Sequence, residues 1–122
     1  MRLLKSKNII RKKNEVALLL KKGKILYTEH LKIFYLNNEL NSMRFFVSAS
    51  KKWGKSNKRN RFKRLVKEAI RELYQKTEFS IDLAIFPNRN LPSRDCKNIK
   101  SYFIKKQIMD GLNSLQIKKL RG

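Results

Sequence analysis

Residues Lys51 to Arg64, KKWGKSNKRNRFKR, hold eight Lys or Arg among fourteen positions and no acid. Arginine presents a planar fork of N–H donors that matches a phosphate, and lysine a compact point charge. Packed this closely, such side chains suit the holding of a polyanion. The second half of the run opens an amphipathic helix, where positive charge opposes the macrodipole. The nearest downstream acids, Glu68 and Glu72, arrive only later, where the dipole does not favour them. A helix N-terminus also offers unpaired N–H groups that bind phosphate readily. The arrangement therefore becomes favourable once an anion is bound. Constellations for bond chemistry are missing by contrast. His30 and Cys96 are the only residues of their kinds, too few for a zinc site of the usual Cys/His type, and both read as ordinary fold residues. Six Glu and three Asp form no close cluster on the predicted elements, which a two-metal nuclease needs. No catalytic and no metal-ligating residue is assigned.

Composition agrees with a binding protein. The chain has 122 residues, 31 Lys plus Arg against nine Asp plus Glu, and a net charge of +22. That density of charge destabilises a compact state unless a polyanion neutralises it. Nucleic acid is the first candidate and an anionic membrane surface the second. The length fits a single domain over residues 1–122, and 41% hydrophobic residues suffice for a core. No apolar run approaches the roughly 18 residues of a membrane span. The basic start, MRLLKSKNIIRKK, lacks the continuous apolar stretch and cleavage site of a secretory signal. A cytoplasmic location is expected, and a lone cysteine agrees with a reducing compartment.

The elements that position these residues follow from periodicity. A helix is expected over residues 8–22, with Val16, Leu19 and Leu20 on one face and Gly23 as its stop. LKIFYL, 31–36, and MRFFVSAS, 43–50, read as strands, and the polar NNELNS between them suggests an antiparallel hairpin. Ser56 is a candidate N-cap for a helix to about Lys76. On that helix Phe62, Leu65, Val66, Ala69, Ile70 and Leu73 fall within one arc of about 140°. Lys63, Arg64, Lys67 and Arg71 lie opposite with Asn60, while Arg59 borders the apolar arc and is expected to point back toward the N-terminus. SIDLAIF, 80–86, is a buried strand ended by Pro87. A final helix spans about 98–115 with Ile104, Ile108, Leu112 and Leu115 in a stripe, and the tail IKKLRG is expected to fray. The result is a small α+β domain with one sheet. A strand rather than a helix feeds the basic helix, which argues against a helix-turn-helix. Phe34, Tyr35, Phe45 and Phe46 lie on strands where single-stranded bases could stack. Alternation sets Phe34 beside Lys32, opposite Leu31 and Ile33, making Phe34 the best stacking candidate.

Ser50, Lys51, Lys52, Trp53 and Gly54, followed by Arg59, Asn60, Arg61, Phe62, Lys63 and Arg64, resemble the signature of the protein subunit of bacterial ribonuclease P. That signature is Ser-Lys-Lys, an apolar residue and Gly, a spacer, then Arg-Asn-Arg, an apolar residue and Lys-Arg leading an amphipathic helix. The resemblance spans about residues 8 to 86 and includes Gly23 and Asp82. It implies a two-layer sandwich of order αβββαβα with a left-handed βαβ crossover, against the usual hand. It also implies a role. The RNA subunit binds Mg²⁺ and hydrolyses the phosphodiester that joins the 5′ leader to precursor transfer RNA, while the protein supports that RNA and contacts the single-stranded leader. Arg59, Asn60, Arg61 and Arg64 would contact the catalytic RNA, joined by Lys51, Lys52, Lys55 and Lys58. The leader would lie near Val16, Leu20, Phe34, Lys63 and Lys67. No protein partner and no membrane contact are expected.

This chain also departs from the family pattern. The family usually has Phe where Val16 and Leu20 stand, Gly where Phe46 stands and Arg where Lys67 stands. An Ala-Arg pair usually follows the late strand, where this chain has Pro87 and Asn88, with Arg89 next. Losing two aromatics removes stacking worth about 1–3 kcal/mol per base; Phe46 is assigned to refill part of that cleft. Two other readings share the composition: a structural RNA-binding protein such as a ribosomal protein, and a nucleoid-type DNA-binding protein. The signature separates the first, and competition between structured RNA and duplex DNA would separate the second.

Overall fold

The computed structural model describes residues 3–76, 78–115 and 119–121. The chain runs α1 (Lys13–Lys22), β1 (Lys24–Tyr27), β2 (Leu31–Asn37), β3 (Arg44–Val47), α2 (Ser56–Lys76), β4 (Glu78–Phe79), β5 (Ile81–Pro87), α3 (Ser101–Ser114) and β6 (Lys119–Arg121), with 3-10 turns at Ser6–Asn8 and Ser93–Asn98. Four strands form the main sheet in the order β1-β2-β5-β3. β5 is antiparallel to β2 and parallel to β3, so α2 lies in a βαβ crossover between β3 and β5.

The expected hairpin between β2 and β3 does not form, because β5 lies between them. The reason is burial. Ile81 to Ile85 are five consecutive buried residues, a strand buried on both faces that belongs in the sheet interior with a neighbour on each edge. β2 instead pairs with β1, a strand that the resemblance supplied and periodicity did not. The first helix starts later than expected, at Lys13 rather than residue 8. Asn8 is buried, its amide donating to the Met43 carbonyl at 2.8 Å and the Ser42 hydroxyl at 3.2 Å, and Ile9 forms a parallel bridge with Phe45. Hydrogen bonds to the sheet edge thus replace the first helical turns. Gly23 does end α1, with ordinary extended backbone; a Cβ there would stand 2.5 Å from the Leu19 carbonyl oxygen. Ser56 is the first helical residue rather than the cap, since the N–H groups of Lys58 and Arg59 both donate to the Lys55 carbonyl. The tail does not simply fray: Lys119–Arg121 pair with Glu78–Phe79, while residues 116–118 and 122 lie outside the described residues.

The two sheet faces are packed unequally. Phe62, Val66, Ala69, Ile70 and Leu73 of α2, with Ile104, Ile108 and Leu112 of α3, are buried against Leu31, Ile33, Phe45, Leu83 and Ile85. Leu115, expected in the α3 stripe, is exposed instead. On the other face α1 seats Leu19 with Ala84 and Ile10, and Val16, Phe34, Phe46 and Phe86 surround them. The helix pair and sheet make the main two layers, and α1 covers part of the far side. What α1 leaves open is the surface of functional interest.

Candidate nucleic-acid interface

Register assembles the open face. One cross-strand row reads Ile25, Phe34, Ala84, Phe46; the next reads Tyr27, Lys32, Phe86. Period-two alternation turns all of these away from the main core. Ala84 is small, and Leu19 sits beside it with Phe34 and Phe46. The Phe86 ring meets Phe34 edge-on at 5.8 Å and Phe46 at 6.3 Å. Lys32 Nζ lies 5.2 Å from the Phe34 ring centre, a cation over an aromatic face.

Beside these rows opens a cleft of about 530 Å³ whose lining includes Leu20, Lys32, Phe34, Lys52, Trp53 and Arg89. Of the residues assigned to leader contact, Leu20 and Phe34 line it. Val16 and Phe46 pack in the cluster beneath, so Phe46 supports the cleft without lining it. Lys63 and Lys67 sit on α2 and are not among its lining. Lys52, assigned to the RNA subunit, is in the cleft. Trp53, Phe86, Arg89 and Lys32 were not assigned. Lys32 and Phe86 were findable, since alternation puts Lys32 on Phe34's face; Arg89 follows a strand end, where no periodicity operates.

α1 is held over the sheet by an ion triad. Arg44 donates from Nε to Asp82 Oδ1 at 3.0 Å and from Nη2 to Oδ2 at 2.7 Å, while Nη1 reaches Glu15 Oε2 at 3.0 Å. The Asp82 carboxylate, with Glu15 behind it, raises the Arg44 guanidinium above its ordinary range despite partial burial. Asn38 donates to Asp82 as well, at 2.7 Å. Asp82 is therefore an anchor for the sheet end and α1.

The basic segment is built around close contacts. Trp53 Nε1 donates to the Leu91 carbonyl at 2.7 Å, and its ring meets Phe62 edge-on at 5.5 Å. Gly54 lies so near the 93–98 turn that a Cβ would stand 2.7 Å from Ser93 Cβ. Arg59 does point back, its Nε donating to the Gly54 carbonyl at 3.2 Å. Asn60, Arg61 and Arg64 are exposed, as are Lys51, Lys52 and Lys55, with Lys58 half-buried. The positive N-terminal turns of α2 thus present their charge to solvent around N–H groups that lack helical partners. Cys96 is buried, and burial pushes its thiol above the ordinary value, which fits an inert core residue. His30 is held by Gln107 at 2.7 Å. Among the described residues no group of three His, Cys, Asp or Glu could hold a metal, and no helix is long and apolar enough to cross a membrane.

Comparison with known proteins gives a consistent result. The family model described as Ribonuclease P matches residues 4–108. The ribonuclease P protein component of Clostridium botulinum (strain Langeland) is 38% identical over 98 residues, covering 80% of this chain and 88% of that protein. Its counterpart from Clostridium kluyveri is 39% identical over 95 residues, covering 76% and 80%. The RNase P protein of Thermotoga maritima superposes with a TM-score of 0.72 at 23% identity, over 83% of this chain and 91% of that one. The Staphylococcus aureus RNase P protein gives 0.69 at 21%, over 90% and 96%. At those identities the structures speak for the fold alone.

Proposed function

The chain belongs to the bacterial ribonuclease P protein family, and we propose that it binds the catalytic RNA through the start of α2 and the precursor leader through the aromatic cleft. Membership removes the ribosomal-protein and nucleoid alternatives and makes the chain part of an endoribonuclease complex. The observation that carries the finer reading is a shared turn. Lys52 and Trp53 line the cleft, and the same turn runs through Gly54 into the cationic start of α2. Two RNA-binding surfaces would then be coupled through a few rigid residues. Exposed Asn60, Arg61 and Arg64, with the lysines before them, hold backbone phosphates of the RNA subunit. Phe34 stacks a leader base, Leu20 walls it in, and Lys32 and Lys52 neutralise the adjoining phosphates.

Phosphodiester hydrolysis is the RNA's part in this reading. Mg²⁺ supplies charge stabilisation and water activation there. Asp82 and Glu15, the acids beside the open sheet face, are occupied by Arg44, and among the described residues no three His, Cys, Asp or Glu gather to hold a metal. The protein's contribution is countercharge that brings two large polyanions together, and preference for substrate that still carries its leader.

Two variants of the reconstituted complex test the division. Arg61→Ala with Arg64→Ala should weaken RNA-subunit binding, each lost charge-assisted contact costing about 1–3 kcal/mol, with circular dichroism unchanged. Phe34→Ala should leave assembly intact but reduce the preference for precursor over mature transfer RNA. Equal loss for both substrates would remove Phe34 from the leader site.

A further inference from the structure

The open face continues beyond Phe34 into a second hollow of about 490 Å³, whose lining includes Tyr27, Thr28, Lys32, Asn88 and Arg89. It shares Lys32, Pro87, Asn88 and Arg89 with the first, so the two form one trough. Tyr27 is 62% exposed, and its ring centre lies 5.9 Å from the same Lys32 Nζ that stands over Phe34. One cation therefore sits between two aromatic rings. Among the described residues no acid lines either hollow, so the trough is complementary to a chain of phosphates.

The walls are fixed before any ligand arrives. Asn88 Nδ2 donates to the carbonyls of Thr28 and Glu29 at 2.6 and 3.1 Å, and its Oδ1 accepts from the Asn90 N–H at 2.7 Å. From the α3 side Gln107 Oε1 accepts from the Thr28 hydroxyl at 2.6 Å and the His30 N–H at 3.0 Å. The β1–β2 turn is thus tied to the segment after β5 and to α3, which holds Tyr27, Lys32 and Arg89 in fixed relation. With Asn88 engaged internally, Arg89 supplies the cation of that segment. Pre-organisation of this kind removes ordering cost from binding.

We infer that this second hollow is a further nucleotide subsite for single-stranded RNA, with one base stacked on Tyr27 and its phosphates held by Lys32 and Arg89. It rests on the leader reading above and extends the bound leader by one nucleotide beyond Phe34. Stacking on an exposed ring is tolerant of base identity, so the subsite reads leader length rather than sequence.

The test uses the reconstituted complex and precursor transfer RNAs whose leaders grow one nucleotide at a time. Wild-type affinity should rise with length until the trough is filled. Tyr27→Thr keeps strand propensity and removes the ring. It should lose the increment of the nucleotide that reaches the second hollow, about tenfold, and bind mature transfer RNA and the shortest leaders as wild type does. Tyr27→Phe should behave as wild type. If wild type gains with length and Tyr27→Thr gains equally, the subsite is wrong and the leader reading stands. If Tyr27→Thr weakens mature and precursor RNA alike, Tyr27 acts elsewhere and the subsite is wrong. If wild type gains nothing from any leader, the leader reading fails and the subsite with it.

Discussion

Arg44 and Arg59 show how much a single cation's partners decide its role. Arg59 stands in the signature string that implies RNA contact, yet its Nε is engaged by the Gly54 carbonyl, so it also shapes the turn before α2. Arg61 and Arg64 are exposed and are the cleaner probes of RNA contact. Arg44 was not singled out, yet it joins β3, β5 and α1 through Asp82 and Glu15. Removing one partner of a mostly buried ion pair leaves the other desolvated and unsatisfied, which costs more than the pair itself contributes. Arg44→Met should therefore lower stability by about 1–3 kcal/mol in urea unfolding and loosen α1. Arg61→Met, on the exposed face of α2, should change stability by no more than about 0.5 kcal/mol. Equal stability of the two variants would show that the triad does not anchor α1.

Gly54 carries the corresponding lesson for whole elements. The turn before α2 is seated against Ser93 with no room for a Cβ on Gly54. Gly54→Ala should push the start of α2 away from the 93–98 turn and cost on the order of 1–3 kcal/mol. Adding Ser93→Gly should recover part of that loss; full additivity of the two changes in a double-mutant cycle would show that they do not meet. α2 was legible in the sequence because its apolar stripe is long and unbroken, and every stripe residue but the half-buried Leu65 is buried. β2 and β5 were legible for their alternating and continuous apolar patterns. The pairing of β3 was not. Consecutive strands usually neighbour one another, and the polar NNELNS turn favoured that arrangement. The competing fact was the two-faced burial of β5, 34 residues after Val47 begins its exit from β3. The cleft was legible as far as alternation reached, at Phe34 and Lys32. Trp53 and Arg89 meet there only through the tertiary approach of two loops, which no local pattern encodes.

At the scale of the whole molecule, +22 is the dominant fact, and its consequence is measurable. If the surface of α2 and the Lys51–Lys55 turn meet phosphates, log affinity for the RNA subunit should fall linearly with log salt, by about 0.7–0.9 per phosphate contacted. A nearly flat dependence would mean that the charge serves only solubility. The central claim is that this protein binds and neutralises RNA while the RNA does the chemistry. The most direct measurement is cleavage of a 5′-labelled precursor transfer RNA in low-salt buffer with a low concentration of Mg²⁺. It compares the purified protein alone, the RNA subunit alone and the two together. Only the combination should cleave efficiently, at a single site at the leader junction, leaving a 5′ phosphate on the mature end. The RNA alone should need more salt or Mg²⁺, because it lacks the protein's countercharge. Specific cleavage by protein freed of RNA by nuclease treatment, and following the protein through a further purification step, would contradict the account.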